Sequence, residues 1–163
     1  MTFIIAIIFF ILGLIIGSFL NVVIFRFNTE RSFGGRSGCM VCQNKLCWYE
    51  LIPLVSFFAL GGRCRNCKVK ISIQYPIVEF ISGLIFAGLF LKFQDIFYIN
   101  TLVFSISYAY YAMMFSILLV IAVYDFKHKI IPDMLSFVFS VIAFIGLFFF
   151  SDYIFYFHIP TIL

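Results

Sequence analysis

Charge is what this chain has least of: eleven Lys or Arg and seven Asp or Glu in 163 residues, 11% in all. Soluble domains carry about twice that share to keep their surfaces dispersed, so a soluble globular fold is excluded. Disorder, a collagen-like repeat and a secreted disulfide scaffold are excluded too, because glycine, proline and cysteine number only ten, four and five. There is no internal repeat and no low-complexity linker. No charged residue falls between Met1 and Phe25. What is present is 64% hydrophobic and 21% aromatic residues, 25 of them Phe, which leaves apolar surface that only lipid can cover. The net charge of +4 lies mostly in one segment, so it reports membrane topology and gives no reason to expect a nucleic-acid partner.

The reading is an all-α integral membrane protein with about four transmembrane helices and a cytoplasmic zinc-binding loop module. At about 1.5 Å rise per residue, residues 1–25 are ample to cross a hydrocarbon core of roughly 30 Å. A secretory signal peptide begins with its positive residues, whereas Arg26, Arg31 and Arg36 follow this apolar run, so the first helix is expected to remain uncleaved. Residues 26–70 form a polar island. Within it, Leu51–Leu60 is apolar but too short to span, which suggests an interfacial or re-entrant hairpin broken at Pro53. Residues 71–163 read as a membrane domain with helices at about 71–91, 100–124 and 134–150, a short loop at 92–99 and a connector at 125–133. The island and the connector hold ten of the eleven Lys and Arg. Both are therefore expected on the cytoplasmic side, with the N-terminus, the 92–99 loop and the tail from Ser151 opposite.

Four of the five cysteines stand as Cys39-x2-Cys42 and Cys64-x2-Cys67, two CxxC pairs separated by 21 residues. A two-residue spacing lets each turn present two sulfurs to one metal, and four thiolates suit tetrahedral zinc. The Lys- and Arg-rich surroundings favour thiolates, and a cytoplasmic position disfavours stable disulfides. A redox dithiol site is the alternative. Cys47, beside Trp48, is left as an unpaired thiol.

Asp125 ends the apolar run SILLVIAVY. A carboxylate at that depth is costly unless it is used or paired, which makes it the catalytic candidate. Lys127, His128 and Lys129 are its alternative, purely structural partners. Asp133, after Pro132, is expected as the N-cap of the last helix. Glu79, inside the second helix, could pair with a base, cap a backbone break or line a polar cavity. His128 and His158 have no metal-ligand spacing and are read as surface residues. Asp152 is separated from the connector by the whole fourth helix, about 26 Å at the helical rise, so it is no simple partner for Asp125.

Five strings together resemble the type IV prepilin peptidases, the membrane aspartic proteases that process prepilins and pseudopilins. They are GSFLNVVIFR (17–26), the two CxxC pairs, LCWYELIPLVSF (46–57), GRCRNCKVKISIQYPIVEFISG (62–83) and DFKHKIIPD (125–133). They occur in the family's order and cover about residues 13–135. The resemblance implies a multi-pass protein of the bacterial cytoplasmic membrane that cuts prepilin leaders after glycine. In many members it then methylates the new N-terminus with S-adenosylmethionine. It implies that the cysteine loop is the family's zinc module and that Asp125 is its first catalytic aspartate, acting as half of a general acid/base pair. The family's second aspartate lies in a Gly-x-Gly-Asp motif that occurs nowhere in these 163 residues. The expectation is therefore an incomplete peptidase, inactive alone, that needs a C-terminal half or a second subunit. The alternative is a non-catalytic zinc-containing partner in pilus or secretion assembly.

Overall fold

The computed structural model describes residues 1–27, 38–39 and 41–157, with 149–157 described as backbone only. Arg31, Arg36 and His158 lie outside the described residues. Among the described residues, five helices and one 3-10 turn form the helical structure: α1 (Thr2–Arg26), the 3-10 turn Trp48–Leu51, α2 (Val55–Ala59), α3 (Gln74–Ile99), α4 (Thr101–His128) and α5 (Asp133–Phe157). The chain is an all-α integral membrane protein. Among the described residues α1, α3 and α4 are long and apolar enough to cross a membrane, and α5 begins as a further apolar helix.

Helix ends fall where the backbone chemistry changes. The expected loop at 92–99 is instead the last two turns of α3. Lys92-Phe-Gln-Asp-Ile-Phe-Tyr-Ile99 contains neither Gly nor Pro, so its polar side chains are carried on an unbroken helix with Lys92 and Asp95 exposed. The break waits for Asn100, whose Oδ1 accepts from the N–H groups of Leu102 at 3.1 Å and Val103 at 3.2 Å and so caps α4. At its other end α4 also runs past the expected boundary. It continues through Asp125 to His128 and stops at Lys129, whose left-handed backbone (φ 57) turns its N–H onto the Asp125 carbonyl at 2.7 Å. Asp133 is the first residue of α5 rather than the cap before it. A carboxylate in that first turn still complements the helix dipole.

Small residues let α1 and α3 touch backbone to backbone. A Cβ added at Gly13 would meet the Ser82 carbonyl oxygen at 2.6 Å and the Gly83 Cα at 2.8 Å, and one at Gly17 would meet the Glu79 Cα at 2.8 Å. This is the small-xxx-small packing used where lipid supplies no hydrophobic drive between helices. The α3–α4 contact is aromatic, with Phe93 stacked on Tyr111 at 5.3 Å and Phe97 edge-on to Phe104 at 5.0 Å. The Tyr108 hydroxyl donates to the Phe86 carbonyl at 3.0 Å. The helix α5 meets α4 where Tyr110 sits over Gly146 and donates to the Ile142 carbonyl at 3.3 Å.

One end of the bundle gathers the end of α1, the start of α3 and the end of α4. Phe25 stacks on Tyr75 at 4.8 Å, the Lys127 ammonium lies 3.9 Å from the Phe25 ring centre, and Phe27 meets Tyr124 edge-on at 5.6 Å. The opposite end is marked by Thr2 beside the Tyr98 hydroxyl.

Candidate functional site

The two CxxC segments fold as a pair of near-identical knuckles, although the sequence reading finds no internal repeat. The Cys39 N–H donates to the Asn44 carbonyl at 3.0 Å, and the Gln43 N–H returns to the Cys39 carbonyl at 3.0 Å. The Cys64 N–H donates to the Val69 carbonyl at 2.9 Å, and the Lys68 N–H returns to the Cys64 carbonyl at 3.0 Å. Gln43 (φ 54) and Lys68 (φ 58) turn the chain at equivalent places, and single antiparallel bridges, Gly38 with Lys45 and Arg63 with Lys70, close each knuckle. The repeat lives in backbone geometry, so only the cysteine spacing betrays it in the sequence.

These knuckles bring all four expected sulfurs together, within 4.8 Å of one another. Cys39 and Cys67 Sγ are 3.7 Å apart and Cys42 and Cys64 Sγ are 4.0 Å apart. A tetrahedron with Zn–S bonds of about 2.3 Å has edges of about 3.8 Å, so the cluster can hold zinc in a four-thiolate site. Both of these sulfur pairs run between the knuckles. Backbone N–H groups of Cys42 and Val41 pull the Cys39 thiol down to about 6. At Cys67 the Val69 N–H acts in the same direction, but burial and the sulfurs of Cys64, Cys39 and Cys42 outweigh it and push the thiol up to about 11. Crowded sulfurs resist joint ionisation, and a divalent cation removes that conflict. The Asn66 amide donates to Cys42 Sγ at 3.9 Å. Cys47 stays out of the cluster, exposed, with its N–H donating to Glu50 Oε2 at 2.8 Å.

Glu79 resolves one of its open alternatives: it caps a backbone break. After Pro53 the chain makes a tight turn centred on Leu54 (φ 58, ψ −50), with the Val55 N–H on the Pro53 carbonyl at 2.6 Å. That conformation is strained for a residue with a side chain, and Glu79 Oε2 holds it by accepting the Leu54 N–H at 2.8 Å. The Ser18 hydroxyl reaches the same carboxylate. One turn along α1, Asn21 is 1% exposed and donates through Nδ2 to the Tyr75 carbonyl at 3.1 Å. Its Oδ1 has no partner among the described residues. Ser18, Asn21 and Glu79 line a cavity of about 790 Å³ between the cysteine module and the ends of α1 and α3, walled also by Val22, Leu51 and Phe57. Sequence reasoning missed Ser18 and Asn21. The available signal was two polar residues, one turn apart, in an otherwise uncharged helix.

Asp125 lies in the last turn of α4, exposed, at the bundle end that carries the α1–α3 junction with the module. Its side chain has no hydrogen bond or ion pair among the described residues. The three bases that could have neutralised it face aromatic rings: Lys127 lies over Phe25 at 3.9 Å, Lys129 over Phe126 at 4.9 Å, and His128 beside Tyr124 at 4.5 Å. Asp125 does not line the cavity.

Comparison with known proteins places these features together. The sequence profile of the bacterial peptidase A24 N-terminal domain matches residues 11–93. A prepilin leader peptidase/N-methyltransferase of Myxococcus xanthus is 49% identical over 89 residues, 54% of this chain and 27% of the relative. One from Vibrio cholerae is 34% identical over 154 residues, 89% of this chain and 57% of the relative. One from Bacillus subtilis is 32% identical over 125 residues, 76% of this chain and 47% of the relative. The chain thus spans between about a quarter and somewhat over half of the length of these relatives. No solved structure matches it significantly. The profile match covers α1, the paired knuckles, the Glu79 turn and most of α3, and the chain belongs to the bacterial A24 peptidases, the family of prepilin leader peptidase/N-methyltransferases.

Proposed function

We propose that this chain is the N-terminal part of a membrane aspartic peptidase that removes leaders from prepilins or pseudopilins after glycine, with Asp125 as one of its two catalytic carboxylates. The observation that supports this most is the state of Asp125. It stands exposed in the C-terminal turn of a helix, where the dipole opposes negative charge, and the neighbouring bases leave it unpaired. A carboxylate kept there against its stability is suited to chemistry. The second carboxylate comes from a Gly-x-Gly-Asp segment on further chain or on a partner polypeptide. One carboxylate, as base, takes a proton from water, whose oxygen attacks the scissile carbonyl carbon. The other, as acid, protonates the carbonyl oxygen, and the proton then passes to the leaving nitrogen as the C–N bond breaks. The Lys and Arg distribution supports a cytoplasmic side for the cysteine module and Asp125, in a bacterial inner membrane.

In this reading zinc is structural, held by Cys39, Cys42, Cys64 and Cys67, and supplies folding energy to a module with little core of its own. The same protein methylates the N-terminus it has released. S-adenosylmethionine, when bound, supplies an electrophilic methyl group. The cavity beside the module fits a ligand of that kind in size, and its lining mixes apolar walls with polar and charged residues, Arg26, Arg65, Lys70 and Glu79 among them.

The test is an in-membrane cleavage assay with a prepilin whose leader ends in glycine. The zinc-loaded chain is used alone, then together with a polypeptide carrying the Gly-x-Gly-Asp segment, each with an Asp125→Asn control. Cleavage that needs both the complement and Asp125 is the expected result. Cleavage by the chain alone would mean that Asp133 or Glu79 completes the pair and the shared-site reading is wrong. No cleavage in any combination would favour the non-catalytic partner in pilus or secretion assembly.

A further inference from the structure

We propose that the outer face of α2 and of the 3-10 turn before it, carrying Trp48, Ile52, Val55 and Phe58, lies in the headgroup boundary of a bilayer that contains anionic lipid. The inference goes beyond the peptidase reading and does not depend on it, since it concerns how the cysteine module is held against the membrane. In the single turn of α2, Ser56 and Phe57 line the cavity beneath the module. Val55 and Phe58, three residues apart on one helix face, do not line it and are 60% and 73% exposed. Trp48, on the 3-10 turn beside α2, is 77% exposed, and Ile52 between them is exposed as well. Exposed apolar side chains gathered in this way mark a surface that meets something other than water.

Depth decides what covers this face. The 26 residues of α3 rise about 39 Å against a hydrocarbon core of roughly 30 Å, so a centred helix leaves about 4–5 Å of each end among the headgroups. Glu79 is the sixth residue of α3, about 7–8 Å from its start, and its side chain leaves the helix tilted back toward that start. Because the Leu54 N–H donates to Glu79 Oε2 at 2.8 Å, the entry to α2 is tied level with the first two turns of α3, at the edge of the core. On those same two turns Ile77 and Phe80 are exposed apolar side chains of a helix that enters the membrane. The outer face of α2 therefore stands beside the bundle at the depth where water gives way to acyl chains, and a five-residue helix can lie there without crossing.

Charge selects the lipid. Residues 38–70 hold five bases, Lys45, Arg63, Arg65, Lys68 and Lys70, against one acid, Glu50. All five bases are exposed, while Glu50 accepts the Cys47 N–H at 2.8 Å. Arg65 donates to the Tyr49 hydroxyl and lies 5.7 Å from the centre of that ring, which joins the second knuckle to the aromatic turn. Tryptophan and tyrosine rings settle at headgroup level, and long basic side chains extend their charge from an apolar surface into the polar layer. A negative surface potential attracts such bases, whereas a zwitterionic surface offers them little. The turn at Leu54, held by Glu79, thus sets the apolar face at the boundary, and the knuckles supply the charge that keeps it there.

Trp48 is the chain's single tryptophan, so its fluorescence reports on this face alone. The experiment places the zinc-loaded chain in nanodiscs of phosphatidylcholine, with and without phosphatidylglycerol. Trp48 emission is followed with two quenchers, a lipid brominated near the headgroup end of its acyl chains and aqueous acrylamide. In the anionic discs the brominated lipid is expected to remove most of the emission and acrylamide little of it. Phe58→Asp, with Val55→Asp as a second variant, should reduce the loss to brominated lipid severalfold and shift the emission to the red. Zinc content and helix content should stay unchanged in both, because neither side chain lines the cavity or belongs to the four-sulfur cluster. Leaving out phosphatidylglycerol, or screening it with high salt, should weaken the quenching in the unaltered chain. Emission open to acrylamide and untouched by brominated lipid would overturn the proposal and leave the face to a protein partner. Equal quenching in zwitterionic discs would overturn the assignment to anionic lipid, and quenching unchanged in folded variants would show that Val55 and Phe58 do not hold the face in the bilayer. Should both variants fail to fold, the two quenchers on the unaltered chain carry the test.

Discussion

Replacing Gly17 by alanine should separate α1 from α3 at the point where they carry the polar wall of the cavity. The new methyl carbon would sit 2.8 Å from the Glu79 Cα, 2.9 Å from the Ser82 Cβ and 3.2 Å from the Val78 carbonyl oxygen. Ordinary contact begins at 3.4 Å, so the shortfall is about 0.6 Å. The atoms in the way are mostly backbone and Cβ, which cannot rotate aside, and the whole of α3 must shift. Overpacking of this kind costs about 1–3 kcal/mol. Alanine's advantage over glycine in a helix, about 0.8–1.0 kcal/mol, offers little relief, because spanning helices that come apart in a membrane remain helical. Gly88 on the same α3 supplies the control. A Cβ there meets nothing within 4 Å, so Gly88→Ala should change stability by no more than about 0.5 kcal/mol. Both variants can be unfolded in mixed micelles with increasing denaturing detergent, following loss of protease resistance. Gly17→Ala should unfold at clearly lower detergent fraction than Gly88→Ala. Equal midpoints would show that the two backbones do not meet at Gly17 and that the seam described here does not hold the helices together.

Three further outcomes are expected at the cysteine module. Cys64→Ser should reduce bound zinc well below one ion per chain while Cys47→Ser retains it, as measured by metal analysis, because only Cys64 belongs to the four-sulfur cluster; retention of full zinc by Cys64→Ser would remove it from the ligand set. Asn66→Ala, which deletes the donor 3.9 Å from Cys42 Sγ, should weaken zinc affinity by about 10–100-fold in chelator competition, and an unchanged affinity would deny Asn66 a supporting role. In zinc-free protein, alkylation followed by mass spectrometry should find Cys39 reactive at neutral pH, losing reactivity as pH falls through about 6, while Cys67, pushed up to about 11, stays nearly inert at neutral pH. The sign follows from the thiolate being the nucleophile: a lowered value keeps it present above about 6, a raised one withholds it. Cys39 that reacts only above about pH 8 would refute the hydrogen bonds from Val41 and Cys42.

The three long apolar helices and the cysteine cluster were legible because each rests on a local pattern. An uncharged run long enough to cross the bilayer has one economical structure, and paired CxxC spacing is itself a statement about turn geometry. The boundaries were less legible where polarity and backbone chemistry part company. Lys92 and Asp95 made 92–99 look like a loop, yet nothing in that stretch stops a helix, and the stop at Asn100 is a capping event. The same confusion set Asp125 in a connector, although the αL turn that ends α4 comes only at Lys129. Glu79 could not be resolved from sequence because its partner is the Leu54 N–H, 25 residues away and exposed only by the turn after Pro53.

The polar wall of the cavity escaped the sequence for a further reason. Gly13 and Gly17 are spaced for close helix contact, but spacing does not say which helix they meet. Only when α3 is the partner do Ser18 and Asn21 fall opposite Glu79 and Tyr75. Asn21 alone on an apolar helix suggests an isolated polar residue buried at a cost. Its bond to the Tyr75 carbonyl gives it a partner on α3. The same holds for Asp125. Its sequence neighbours Lys127, His128 and Lys129 suggest neutralisation, and the fold diverts all three onto rings, one of them, Phe25, contributed by α1. In both places the chemistry depends on α1 meeting the start of α3 and the end of α4 at one end of the bundle. That arrangement gives the string from Gly17 to Arg26 a consequence for the site, beyond its length and hydrophobicity.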